Sequence, residues 1–241
     1  MSFEPVWGAP IAWYLFLAGL GGGAFITSAF LRWEHPEAHG MRFAGHIIAP
    51  VVVIIGLFLL MFDAEAGLHN PLRFALLLHN PCSVMTWGVV FLAAFVIIAL
   101  ITLLLDCLKK QVPAWLEIAG SVFAVCVGAY TGALLGVCQT FPLWNNALLP
   151  ILFLVSAVST GMSSVLLVGG LKFPKEFDSV GVLKKFHYCF PIIELVLVAS
   201  LCFITSYNSV AGFESVMSLV CGNWAILFWL GFIVVGLVAP T

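Results

Sequence analysis

Residues 81–105 read PCSVMTWGVVFLAAFVIIALITLLL, twenty-five residues in a row without a formal charge. A bilayer's hydrocarbon core is about 30 Å thick and is crossed by roughly 20 apolar residues at 1.5 Å each. This run is long enough to cross, and it is continuous rather than alternating, as a half-buried strand would be. It also exceeds the roughly ten residues of a tilted barrel strand. Outward from it lie six more long, predominantly apolar runs: Pro10 to Leu31, Phe43 to Phe62, Ala114 to Val137, Ala147 to Leu171, Phe186 to Tyr207 and Val220 to Ala239. The expected fold is all-α, a polytopic transmembrane bundle of seven spans forming one integral membrane domain over residues 1–241.

Composition agrees. The 241 residues are 63% hydrophobic and only 8% charged, with a mean hydropathy of +1.16. Soluble domains carry about 25% charged residues, so this sequence could not clothe a water-facing surface. The formal net charge of -2 leaves no basic footprint for nucleic acid. The seven cysteines (Cys82, Cys107, Cys126, Cys138, Cys189, Cys202 and Cys221) are odd in number and contain no CxxC pair. They read as small hydrophobes rather than as disulfide or iron–sulfur ligands.

The basic residues set an orientation. Arg32 and Arg42, Lys109 and Lys110, and Lys172, Lys175, Lys184 and Lys185 fall in alternate loops, with Arg73 alone on the other side. The positive-inside rule puts the first group in the cytoplasm and the N-terminus outside. No basic residue precedes the first apolar run, so it is not read as a cleaved signal peptide. Seven spans place Thr241 in the cytoplasm, and the lack of a polar tail after Pro240 points to a missing eighth helix.

Ionisable groups at membrane depth are expensive and are functional candidates by default. Glu194 lies roughly 15 Å along its helix from Lys184, and His187 is two turns earlier on the same face. The pair can form part of a proton path; the alternative is a Glu hydrogen-bonded to a neighbouring helix. A second polar group gathers at the outer side: Asp63 and Glu65 after span two, His69, Asn70 and Arg73 in the loop, His79 and Asn80 before span three, Tyr14 in span one, and Tyr130 in the outer half of span four. A hydroxyl, carboxylates and imidazoles at one depth can bind a quinone's oxygens and exchange its protons. Interfacial aromatic belts, which any membrane protein forms, by themselves account for Trp7, Trp13 and Trp144. None of the six histidines lies near the middle of a span, which argues against a haem held between paired histidines. Gly19 with Gly23, and Gly128 with Gly132 and Gly136, have the small-xxx-small spacing of close helix contacts. Tyr130 is about 200° from Gly128 and so faces away from that stripe.

These landmarks, in order, carry a resemblance: Trp13-Tyr-Leu-Phe-Leu-Ala-Gly-Leu-Gly-Gly-Gly23, Leu68-His-Asn-Pro-Leu-Arg-Phe74, Asn80-Pro-Cys-Ser-Val-Met-Thr-Trp-Gly88, Tyr130-Thr-Gly-Ala-Leu-Leu135 and Phe141-Pro-Leu-Trp-Asn145. The set, with the His187 to Glu194 stretch and Phe228-Trp-Leu-Gly231, resembles the NrfD/polysulfide reductase membrane-subunit family over essentially the whole chain. The resemblance implies an anchor, usually of eight spans, that holds no redox metal. It would exchange electrons between menaquinone or ubiquinone and a four-cluster iron–sulfur subunit, which serves a molybdopterin catalytic subunit. It further implies a quinone site toward the outer face among the first four helices. There Tyr130 matches the family's quinone-site tyrosine, and Asp63, or alternatively Glu65, matches its acidic residue. Ile11 and Tyr14 stand where the family's site has asparagine and histidine. The expected setting is the cytoplasmic membrane of a bacterium or archaeon, in anaerobic respiration, with the partner on the outer face. A passive tether, and a proton or ion transporter using Glu194 and His187, are the competing readings. The terminal substrate and the direction of electron flow stay open.

Overall fold

The computed structural model describes residues 8–63, 79–138 and 140–238. Its long helices are α1 (Ala9–Glu34), α2 (His39–Asp63), α3 (Val84–Cys107), α4 (Ala114–Gly136), α5 (Leu149–Lys172) and α7 (Gly181–Asn208). The short ones are α6 (Pro174–Ser179) and α8 (Val210–Val220), and a π-helical segment, Leu227–Val238, follows. Six helices are long and apolar enough to cross a membrane, and there is no strand among the described residues. The seventh expected run, Val220 to Ala239, is divided by a turn at residues 221–224 into the end of α8 and a 12-residue segment. An absence of charge does not register Gly222 and Asn223 as a break. Helix starts follow local chemistry, since Pro10 and Pro150 occupy first-turn positions where a missing N–H costs nothing. The Glu176 carboxylate of α6 accepts from the Gly40 and Met41 amides at 3.1 and 2.9 Å and so caps the start of α2.

α1 is the axis of the bundle, with 72% of its most apolar window buried against 28% for α3 and 22% for α7. Its run Gly21-Gly22-Gly23 explains why. Successive residues turn 100°, so the three glycines meet three different helices. A Cβ on Gly21 would overlap Val53 of α2, one on Gly22 would lie 3.2 Å from the Ala124 carbonyl of α4, and one on Gly23 would overlap the Ala157 carbonyl of α5. Lipid tails are as apolar as leucine, so helix association rests on this close backbone approach rather than on a hydrophobic drive. On α3, Gly88, Leu92, Phe95, Ala99 and Thr102 point inward, while Ile97, Leu100, Ile101 and Leu104 are exposed. Exposed Trp13 and Trp87 mark one end of the bundle; exposed Trp33 and Trp115 mark the other.

Candidate functional site

Near the Trp13 end, α1 to α4 separate around an apolar cleft of about 390 Å³. Ile11 and Tyr14 of α1, Leu57, Leu60 and Met61 of α2, Met85 and Val89 of α3, and Tyr130 and Leu134 of α4 line it. Its polar groups are the two phenols. Tyr14 is 2% and Tyr130 9% exposed, and the two side chains line the cleft together from facing helices. The Tyr130 ring rests directly on the backbone of Gly88, where any Cβ would overlap it. The glycine stripe of α4 faces elsewhere, with Gly128 against Leu154 and Gly132 against Leu149 and Pro150 of α5. This is the separation that the 200° offset predicts. A second cleft of about 410 Å³ opens on the other flank of α1. Its Thr131 and Thr160 hydroxyls already donate to Gly128 and Ser156 carbonyls at 2.7 and 2.8 Å. The tyrosine cleft, where two phenols meet an apolar lining, suits a ligand carrying oxygen atoms on an apolar body.

The other expected site residues are distributed as follows. Asp63 closes α2 two residues beyond Met61, and its side chain lies outside the described residues, as do Glu65, His69, Asn70 and Arg73. His79 is exposed ahead of α3 and does not line the cleft. Glu194 is 5% exposed and faces Ser159 of α5, with its Oε1 unpartnered. His187, two turns earlier, lies 3.5 Å from Ser163 Oγ on the same α5 face. The two thus share a seam between α5 and α7, and neither reaches the tyrosine cleft.

Sequence reasoning misses a charged network at the opposite, basic end. Arg32 of α1 donates to Glu117 Oε2 of α4 at 2.8 Å and to the Val112 carbonyl at 2.6 Å. His46 of α2 contacts Asp106 of α3 at 2.5 Å, and its Nε2 lies 3.9 Å from Glu117 Oε1. His46 and Glu117 are both fully buried. A signal exists, because Glu117 is an acid inside a run otherwise free of charge, on the side where the arginines collect. Phe25 lies tilted against His46 with ring centroids 5.5 Å apart and meets Phe95 edge-to-face at 5.6 Å, walling this network from the tyrosines. Among the described residues, no three His, Cys, Asp or Glu side chains are grouped to hold a metal.

The pattern defining the family described as "Polysulphide reductase, NrfD" matches residues 1–241. The chain belongs to the NrfD family. Its relatives include the C subunit of polysulfide reductase from Wolinella succinogenes, 38% identical over 98% of this chain and 81% of that one. Protein NrfD of Escherichia coli is 28% identical, covering 98% of this chain and 83% of its own. The C subunit of selenate reductase from Mesobacillus selenatarsenatis is 25% identical, covering 97% and 65%. Family membership and six membrane-capable helices make this NrfD protein an integral membrane protein.

Proposed function

We propose that this chain is the quinone-reactive membrane subunit of a multi-subunit oxidoreductase. The observation that carries the reading is the Tyr14–Tyr130 pair at the head of an apolar cleft among α1 to α4. The C-subunit relatives from polysulfide and selenate reductases support a place in a molybdopterin enzyme complex. On this reading the basic end is cytoplasmic, and a four-cluster iron–sulfur subunit docks on the outer face. A menaquinol or ubiquinol in the cleft supplies two electrons and two protons. Tyr130 donates its O–H to one headgroup oxygen, and Tyr14, buried against it, fixes the direction of that hydroxyl. Leu57, Leu60 and Val89 exclude water around the ring. Asp63 at the end of α2, Glu65 just beyond and His79 ahead of α3 exchange the protons with the outer aqueous phase, in either direction of electron flow.

The test is quinol oxidation and quinone reduction by the purified complex with Tyr14→Phe, Tyr130→Phe or Asp63→Asn. A lost hydrogen bond to the ligand contributes about 0.5–1.5 kcal/mol, so Tyr130→Phe should raise the quinone KM roughly 3- to 10-fold, and Tyr14→Phe, which acts through Tyr130, should raise it by no more than that. Activity with soluble electron donors should be preserved. Unchanged quinone kinetics in the Tyr14/Tyr130 double variant and in Asp63→Asn would defeat the assignment of this site.

A second reading draws on Glu194, whose buried Oε1 has no partner. With His187 and the Ser159 and Ser163 hydroxyls it would carry protons along the α5–α7 seam. Glu194→Gln would then abolish a turnover-coupled membrane potential and leave quinone affinity intact.

A further inference from the structure

At the Trp33 and Trp115 end, α3 closes with a lysine where a glycine is expected. The Lys109 amide donates to the Asp106 carbonyl at 3.0 Å and the Lys110 amide to the Leu105 carbonyl at 2.9 Å. That pair of bonds is a Schellman closure, whose left-handed position usually falls to glycine because a Cβ is disfavoured there. Here it is Lys109, with φ of 52°, the single non-glycine residue of positive φ among the described residues. A helix C-terminus favours nearby cations, and cytoplasmic loops favour lysine. Neither rule requires the lysine to occupy the strained position, since Lys110 alone, following a glycine, would meet both.

What the position does is bring Lys109 into a cleft of about 330 Å³ with Lys110, Arg42 and His39. The one acid lining it, Asp106, is already engaged by His46 at 2.5 Å, with Arg42 at 4.0 Å. Neither Lys109 nor Lys110 has an acidic partner within 4.0 Å among the described residues. The cleft therefore holds an excess of positive charge. Leu108 directly precedes Lys109 and Leu104 lies one turn before it on α3; they are 56% and 58% exposed, and Trp115, 66% exposed, puts this end at the membrane–water boundary. An anionic headgroup on two acyl chains matches both halves of this surface. A soluble acidic protein would match only the charge.

We propose that this cleft binds the phosphate of an anionic phospholipid, held by Arg42, Lys109 and Lys110, with the acyl chains lying against Leu104 and Leu108. The site is independent of the quinone reading, being at the other end of the bundle.

The experiment is thermal unfolding of the full-length protein in a neutral detergent, titrated with phosphatidylglycerol, phosphatidylcholine of the same acyl composition, or inorganic phosphate. Phosphatidylglycerol should raise Tm, while the zwitterionic lipid and inorganic phosphate at equal concentration should not. Lys109→Gly/Lys110→Gln should weaken the phosphatidylglycerol response about thirty-fold, from roughly five-fold per lysine near an anionic surface. Its Tm without lipid should equal or exceed that of the unmodified protein, because glycine suits the left-handed position. Should that variant insert poorly, Lys110→Glu alone, at an exposed side chain, should give the same loss. A response retained in both variants, or matched by inorganic phosphate, overturns the proposal. So does loss of a co-purifying protein subunit with the lipid response intact, which would assign the cleft to an acidic partner segment.

Discussion

At the scale of single residues, the tyrosine cleft depends on one hydrogen atom. Gly88 lies beneath the Tyr130 ring, and a methyl group there would occupy the space of the ring and its hydroxyl. Gly88→Ala should therefore impair quinone turnover at least as strongly as Tyr130→Phe, because it displaces the whole phenol rather than removing one bond. Overpacking of this kind costs about 1–3 kcal/mol. Gly231→Ala is the control, since nothing lies within 4 Å of a Cβ there. Steady-state quinol oxidation together with Tm separates the two effects, and normal turnover in Gly88→Ala would show that Tyr130 does not position the ligand. The direction of Tyr130 is legible in the sequence, because its angular offset from the glycine stripe is arithmetic on a helix. Its seat on Gly88 is not. Nothing in a uniformly apolar run says which glycine accepts a ring and which merely packs.

At the scale of helices, the same limit has a general cause. All of 81–105 is apolar, so hydropathy locates α3 without orienting it. The inward face carries Gly88, Ala99 and Thr102 alongside Leu92 and Phe95, so hydrophobicity alone does not single it out. α1 is the extreme case, and Gly23→Ala should push α1 from α5 at the Ala157 carbonyl, lowering Tm by an amount set by about 1–3 kcal/mol of overpacking. An equal Tm for Gly23→Ala and Gly231→Ala would show that α1 is not the packing axis. Charge gives a second prediction. Breaking a buried ion pair from one side costs up to 3–5 kcal/mol, because the abandoned charge stays buried. Arg32 is 26% exposed and can reach water, so Arg32→Met, which strands the fully buried Glu117, should destabilise more than Glu117→Leu. The double variant should recover much of the loss. Chemical denaturation of the three would settle the order. The pairing is unreadable from sequence because its members are 85 residues apart and joined only by packing.

For the whole molecule, the arrangement of polar groups along the bundle decides how proton and electron movements relate. Gly56, whose Cβ would lie 3.4 Å from the Tyr14 carbonyl, is ten residues from His46 on α2, about 15 Å away. Between them the core is apolar, with Phe25, Phe95, Val53 and Val127 all fully buried. On the proposed orientation, protons leaving a quinol at the tyrosine pair reach water on the outer side, where the electrons also depart. Charge then does not cross the membrane, and turnover in proteoliposomes should be unchanged by an uncoupler. Asp106→Asn, at the far end of the wall, should leave quinone kinetics unchanged, because Asp106 neither lines the cleft nor contacts either tyrosine. The α5–α7 seam supplies the contrary outcome. Stimulation by uncoupler that disappears in Glu194→Gln would mean that protons cross through that seam while electrons leave at the tyrosines, and the complex would be electrogenic.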